Sequence, residues 1–176
     1  MIQDYPIQVC CSHRTERCQF DFARKAMQML PNDGSTAFGP DVHGLIIVGE
    51  TELALERPLR RLVDVYGDMV RIGAPTVRYR QGEDGECMEQ PIMGLRVLCP
   101  PRAYEAIRED LRLRQAAIMD AEVNQRFGIV RATAPLARLL GYPQRFAGLT
   151  DGRGQLVMWL SHYERLDDPP PAGVAA

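Results

Sequence analysis

The run over 7–11 reads as a strand, and a helical period follows it, opened by Thr15 as the predicted N-cap before Glu16. Phe20, Ala23, Met27 and Leu30 fall on one face of that helix. A turn-forming composition over 31–35 precedes two strands, 36–38 and 44–48, around a turn at 39–44. Leu55, Leu59, Leu62, Val63 and Tyr66 then recur at the spacing of an amphipathic helix, which Gly67 and Asp68 close. Pro58 lies inside this helix, and its ring is expected to delay the regular part or kink it. The last extended segment, 70–79, is interrupted by Pro75.

That order is β-α-β-β-α-β, the split βαβ motif, and after a polar segment it appears again. A strand over 92–98 leads to a helix begun by Pro100 and Pro101, with Tyr104, Ile107 and Leu111 on one face. Two strands flank 122–125, and a helix opens at Pro135 with Leu136, Leu139 and Leu140 inward. The final strand, 154–163, alternates Leu156, Met158 and Leu160 on one side. Residues 81–90 are acidic, carry glycine and have no period, so they are the predicted linker. The pattern predicts an α+β chain of two tandem domains and a solvated tail over 167–176.

Composition narrows the chemistry. With 45% hydrophobic and 25% charged residues the 176-residue chain has the makeup of a globular protein. Its net charge of -2 argues against a grip on nucleic acid through bulk positive charge, so any RNA contact must be local. Arginine supplies the basic side chains almost alone, the sole lysine being Lys25. A phosphate loop of the form GxxxxGK[ST] therefore has no lysine to use, and nucleotide binding is not expected. The segment 150–154 precedes a strand and reads as a turn.

Cys10, Cys11, His13 and Cys18 are ligand types close in sequence, but their spacing fits no zinc-binding pair. No metal and no cofactor are expected. Five cysteines in an irregular set, without a secretory leader or a membrane-length apolar run, point to a reduced, cytoplasmic protein. His162 beside Tyr163 and Glu164 has no nucleophile or partner base in sequence, so it reads as a strand-end histidine and not as part of an enzyme site.

The segment 141–166 carries Gly141-Tyr142, Leu149-Thr150 before Gly152-Arg153-Gly154, and a closing Ser161-His162-Tyr163-Glu164. It resembles the end of the C-terminal, fifth domain of elongation factor G. Gln90-Pro91-Ile92-Met93 and Ala134-Pro135-Leu136 resemble the opening and second-helix start of the same domain. More loosely, 49–56 and 73–80 are similar to the third domain of those factors. The resemblance implies two ferredoxin-like domains: 1–81 third-domain-like, 82–90 a linker replacing the fourth domain, and 91–166 C-terminal-domain-like. It implies a GTPase-less protein associated with the ribosome at the factor-binding site. The corresponding family helix faces ribosomal RNA and protein, which makes Arg102, Arg108, Arg112, Arg114 and Arg153 the candidate contacts. Glu105, Glu109 and Asp110 stand at i,i+3 or i,i+4 from three of them, so a salt-bridged solvated face explains the same pattern.

Val157 and Trp159 alternate with the core-facing side of the last strand and belong to the face without helices, beside Leu98. An exposed apolar patch of this kind marks an interface. Three occupants are open, in this order: the first domain, a second copy of the chain, or RNA bases stacking on the sheet. A structural adaptor or oligomer that no longer touches the ribosome, and a gene remnant without a selected role, are the rival readings of the whole chain.

Overall fold

The computed structural model describes residues 5–31, 33–82, 85 and 87–166. The predicted tail over 167–176 lies outside the described residues. The chain forms two compact units, Met1–Arg78 and Tyr79–Ala176.

In the first unit the other strands assemble on β1 (Ile7–His13). It pairs antiparallel with β3 (Gly44–Gly49) along one edge, and with β4 (Val70–Ile72) and then β5 (Thr76–Val77) along the other. β2 (Thr36–Asp41) adds outside β3, giving the order β2-β3-β1-β4 among the described residues. The gap between β4 and β5 contains Pro75, which has no N–H to give to a ladder. Ile7, Val9 and Cys11 alternate into the core, where α1 (Gln19–Met27) and α2 (Glu52–Tyr66) cover them.

Both helices depart from the sequence expectation. Thr15 does not cap α1, because His13 Nδ1 accepts the Glu16 N–H at 3.1 Å and the Gln19 side chain bonds both the N–H and the carbonyl of His13 at 2.8 Å. Those bonds hold the chain out of the helix until Gln19. The buried face is Phe22, Ala23 and Ala26, and Phe20 is 42% exposed. Phe22 is drawn inward by its edge-on packing with Tyr66 at 5.2 Å and tilted packing with His13 at 5.4 Å.

α2 starts at Glu52 and does not start late. Thr51 Oγ1 accepts the Ala54 N–H at 3.3 Å, and the helix continues through Pro58 to Tyr66. The bond that Pro58 cannot donate would have gone to Ala54 in the first turn, so a single intrahelical bond is lost. The ring is buried beside Leu55 and Leu62, and its burial offsets that loss, while Val63 turns outward.

The second unit repeats the plan around β7 (Met88–Cys99). β10 (Gln155–Arg165) pairs with one of its edges and β9 (Gly128–Pro135) with the other, and β8 (Ala117–Val123) lies beyond β9. The order is β10-β7-β9-β8 among the described residues. Met93, Leu95 and Val97 point to the helix side, where α3 (Tyr104–Leu113) buries Tyr104, Ile107 and Leu111. The helix expected from Pro135 is two helices, α4 (Leu136–Leu139) and α5 (Tyr142–Thr150). Leu140 is extended and Gly141 has φ 74°, a conformation glycine reaches without a Cβ penalty, so the chain turns before Tyr142 enters the core.

The predicted linker also needs correcting. β6 (Arg80–Gln81) pairs with Met88 and Glu89, and the Gly82 N–H donates to the Cys87 carbonyl at 2.8 Å. β6 and β7 thus pair within the second unit, and Met88–Gln90 are part of its long central strand, while residues 83, 84 and 86 lie outside the described residues. A hairpin loop and a linker draw on the same residues, which is why composition did not separate them. Each unit is thus an α+β ferredoxin-like domain, its central strand paired on both edges and its helices on one face.

Gly44 opens β3 with φ 140°, and a Cβ there would run into the carbonyl oxygen of Cys11 and stand 3.0 Å from its carbonyl carbon. Gly44→Ala is expected to destabilise the protein by about 2 kcal/mol or more in urea unfolding. Gly34→Ala, where φ is 81° and the space is open, is the control for backbone conformation alone. Equal losses at both would show that crowding against Cys11 is not the cause.

Candidate functional site

The arginines singled out from the sequence gather around α3. Apolar Tyr104, Ile107 and Leu111 fix which way this helix faces, leaving Glu105, Glu109 and Arg112 in solvent. Arg108 Nη1 meets Glu105 Oε1 at 3.1 Å and Arg112 Nη1 lies 3.9 Å from Glu109 Oε2. Arg102, in the 3-10 turn ahead of α3, pairs with Asp151 at 2.8 Å. Exposed pairs of this kind contribute only about 0.2–1 kcal/mol, so a polyanion can compete for these guanidiniums. Arg153 is exposed in the turn after α5 and has no ion pair among the described residues.

Arg114 is placed differently. Its Nε donates to Asp110 Oδ2 at 2.8 Å, its Nη1 donates to the Arg138 carbonyl at 2.8 Å, and its guanidinium lies 5.2 Å from the centre of the Tyr142 ring. Asp110 also accepts from Arg145 Nε of α5 at 3.0 Å. One carboxylate, 13% exposed, thereby ties α3 to α5, and Arg114 carries the tie to α4. The Tyr142 hydroxyl is buried, and burial pushes its ionisation well above the usual phenol range.

The open face of the second sheet is built by strand alternation. Three rows cross it: Gln155, Leu98, Ile129 and Glu122; Val157, Arg96, Arg131 and Asp120; Trp159, Gly94, Thr133 and Ala117. Val157 is 55% and Trp159 46% exposed, and Leu98 lies one row from Val157 on the neighbouring strand. Arg96 and Arg131 are register partners on the two central strands and both are exposed. Sequence reasoning missed this pair, although an arginine between Leu95 and Val97 had to face away from the core. Gly94 was missed as well. A Cβ on it would stand 2.6 Å from Trp159 Cζ2 and 2.7 Å from Nε1, so the indole occupies the space over the glycine.

In the first unit a groove of about 380 Å3 lies between Met29–Pro31 and the Arg57, Arg60 and Arg61 side of α2. Arg57 is 3.7 Å from Asp33, whose carboxyl is held below its usual range chiefly by hydrogen bonds from Ser35. Cys11 faces the core and Cys10 the other side of β1, as alternation requires. Burial and the adjacent Cys10 push the Cys11 thiol up to about 12. His162 Nδ1 lies 3.1 Å from Ser161 Oγ.

Residues 87–172 match the family model described as elongation factor G C-terminus. That match falls on the second unit. Elongation factor G of Aquifex pyrophilus is 35% identical over 77 residues, a stretch that covers 44% of this chain and 11% of that protein. A crystal structure of a Thermus thermophilus protein superposes over 95% of this chain and 42% of its own, with TM-score 0.63 and 17% identity, a likeness of fold. α3 and its arginines thus stand on matched sequence, and so do the open-face residues.

Asp110→Ala is expected to lower stability by about 2 kcal/mol, since it strands two guanidiniums, and Asp110→Asn by less. An unchanged unfolding midpoint would show that the tie between α3 and α5 contributes nothing. At pH 8 the exposed Cys18 is expected to react first with a disulfide reagent, and Cys11 and the buried Cys99 only after denaturant is added. Labelling of Cys11 as fast as Cys18 would contradict the burial described.

Proposed function

We propose that this protein is a non-enzymatic, elongation factor G-like protein that binds the ribosome at or near the factor-binding site and modulates, or competes with, full-length factors. The observation that carries the reading is the match of residues 87–172 to the elongation factor G C-terminus. Arg102, Arg108 and Arg112, whose ion pairs lie on the α3 surface, together with Arg153, are the contacts this reading assigns to ribosomal RNA. Arg114, engaged within the domain, is assigned to holding that surface in shape. A third-domain-like first unit and the 82–90 segment in place of a fourth domain belong to the same proposal. So does work without a GTPase activity of its own, since the only lysine, Lys25, sits in α1 and not in a phosphate loop. The expected compartment is the cytoplasm, and no helix among the described residues is long and apolar enough to cross a membrane.

A second reading is a structural adaptor or homo-oligomer that uses Leu98, Val157 and Trp159 and does not touch the ribosome. The exposure of Val157 and Trp159 favours it.

Tagged protein is expected to pellet with ribosomes at low salt, to be released partly at moderate salt, and to be displaced by added elongation factor G. GTP is expected to change none of this. Protein that stays in the supernatant at both salt concentrations would overturn the ribosomal reading.

A further inference from the structure

We propose that the open face of the second sheet binds single-stranded RNA, with a base stacked on Trp159 and backbone phosphates on Arg96 and Arg131. The surface is distinct from the α3 face assigned to the ribosome. Only the choice of RNA over DNA rests on the elongation factor G reading.

Three observations meet here. The first is the platform. Gly94 stands opposite Trp159 on β7, and the indole fills the volume a side chain would take, so it lies on the sheet with 46% of its surface in solvent. An aromatic ring held this way offers a face to any base, and base stacking is tolerant of sequence. The aromatic comes from the edge strand and the glycine from the central one. A search for aromatic residues on central strands, the usual mark of RNA-binding sheets, passes over it.

The second is charge. Arg96 and Arg131 are direct register partners, an arrangement of like charges that costs stability. On the α3 side Arg102 and Arg108 are matched to carboxylates at 2.8 and 3.1 Å. Arg96 has no ion pair among the described residues, and Arg131 reaches Asp120 only at 3.9 Å. An anion between the two guanidiniums relieves their repulsion. Arg96 is two residues along β7 from Gly94, so its Cα lies about 7 Å from that of the glycine beneath the indole.

The third is the direction of the field. Asp120 and Glu122 lie at the β8 end of the same rows, and Trp159 and Val157 at the β10 end. A negatively charged strand is therefore repelled from one half of the face and drawn to the other. A second copy docked symmetrically through the centre of this face would bring four guanidiniums together, which is why RNA is preferred as the occupant.

Because Trp159 is the only tryptophan, its fluorescence reports the contact directly. Titration with a decauridylate is expected to quench it saturably, with Kd in the range of roughly 1–100 µM at 50 mM salt. Two neutralised phosphates predict about sevenfold weaker binding at 200 mM salt. Arg96→Ala, which leaves the reporter in place, should weaken binding about tenfold and roughly halve the salt slope. Trp159→Ala, followed through labelled RNA, should weaken it at least about fivefold, and Trp159→Phe should largely restore it.

Absence of quenching up to about 1 mM oligonucleotide, well above the ordinary non-specific range, would overturn the proposal. So would a loss in Lys25→Ala equal to that in Arg96→Ala, which would reduce the effect to bulk charge. A dimer abolished by Trp159→Ala, without RNA binding, would give the face to a second copy. A lowered melting temperature in Trp159→Ala, again without RNA binding, would give the indole to the chain's own fold. Tighter binding of decathymidylate than of decauridylate would overturn the assignment to RNA. Failure to pellet with ribosomes leaves each of these outcomes readable, so the two proposals fail separately.

Discussion

Both units depend on a central strand that is hydrogen-bonded along its two edges and apolar on one side. β1 pairs with β3, β4 and β5 and β7 with β6, β9 and β10, and their inward residues, Val9 and Cys11 or Leu95 and Val97, set the side on which helices can pack. With the helices on one face, the other face of each sheet is left without helices. The backbone is satisfied by the ladder whatever side chains are carried there. At the outward positions of β7 and β10 a glycine, an arginine and a tryptophan can therefore stand side by side without disturbing the core.

The elements whose period agrees with their packing were legible from sequence. α3 is the clearest case, since Tyr104, Ile107 and Leu111 are buried as the stripe requires. The misreadings have local causes. Phe20 is apolar and fits the α1 stripe, yet the contacts of Phe22 with His13 and Tyr66 decide which aromatic goes in. The delayed start of α1 turns on a side chain, Gln19, bonding to backbone six residues earlier. Propensity rules do not encode such a bond. Gly141 was visible, but its left-handed conformation is what splits α4 from α5, and composition alone does not give a dihedral angle.

The candidate site was legible in its residue types and less so in its pairing. The helix-side arginines could be listed from the resemblance and the carboxylates of Arg108, Arg112 and Arg114 from spacing, but Asp151, the partner of Arg102, lies 49 residues away. That Arg114 serves the helix layer was not readable, because its acceptors, the carbonyls of Arg138 and Leu140, are 24 and 26 residues away. The open face was half seen. Strand alternation exposed Val157 and Trp159, whereas the neighbours across the ladder depend on register, which a single sequence fixes weakly. Without register, Arg96, Arg131 and Gly94 are three unconnected positions on two strands.

The outer strands carry a further consequence. β2 has Pro40 in its run, and β8 loses register between Ile118 and Asp120, so neither offers an uninterrupted row of donors and acceptors to another chain. Chains rich in antiparallel sheet are prone to grow into fibres by adding strands at such edges. Here a missing donor on β2 and a slipped register on β8 make those two edges, one in each sheet, poor templates for such growth.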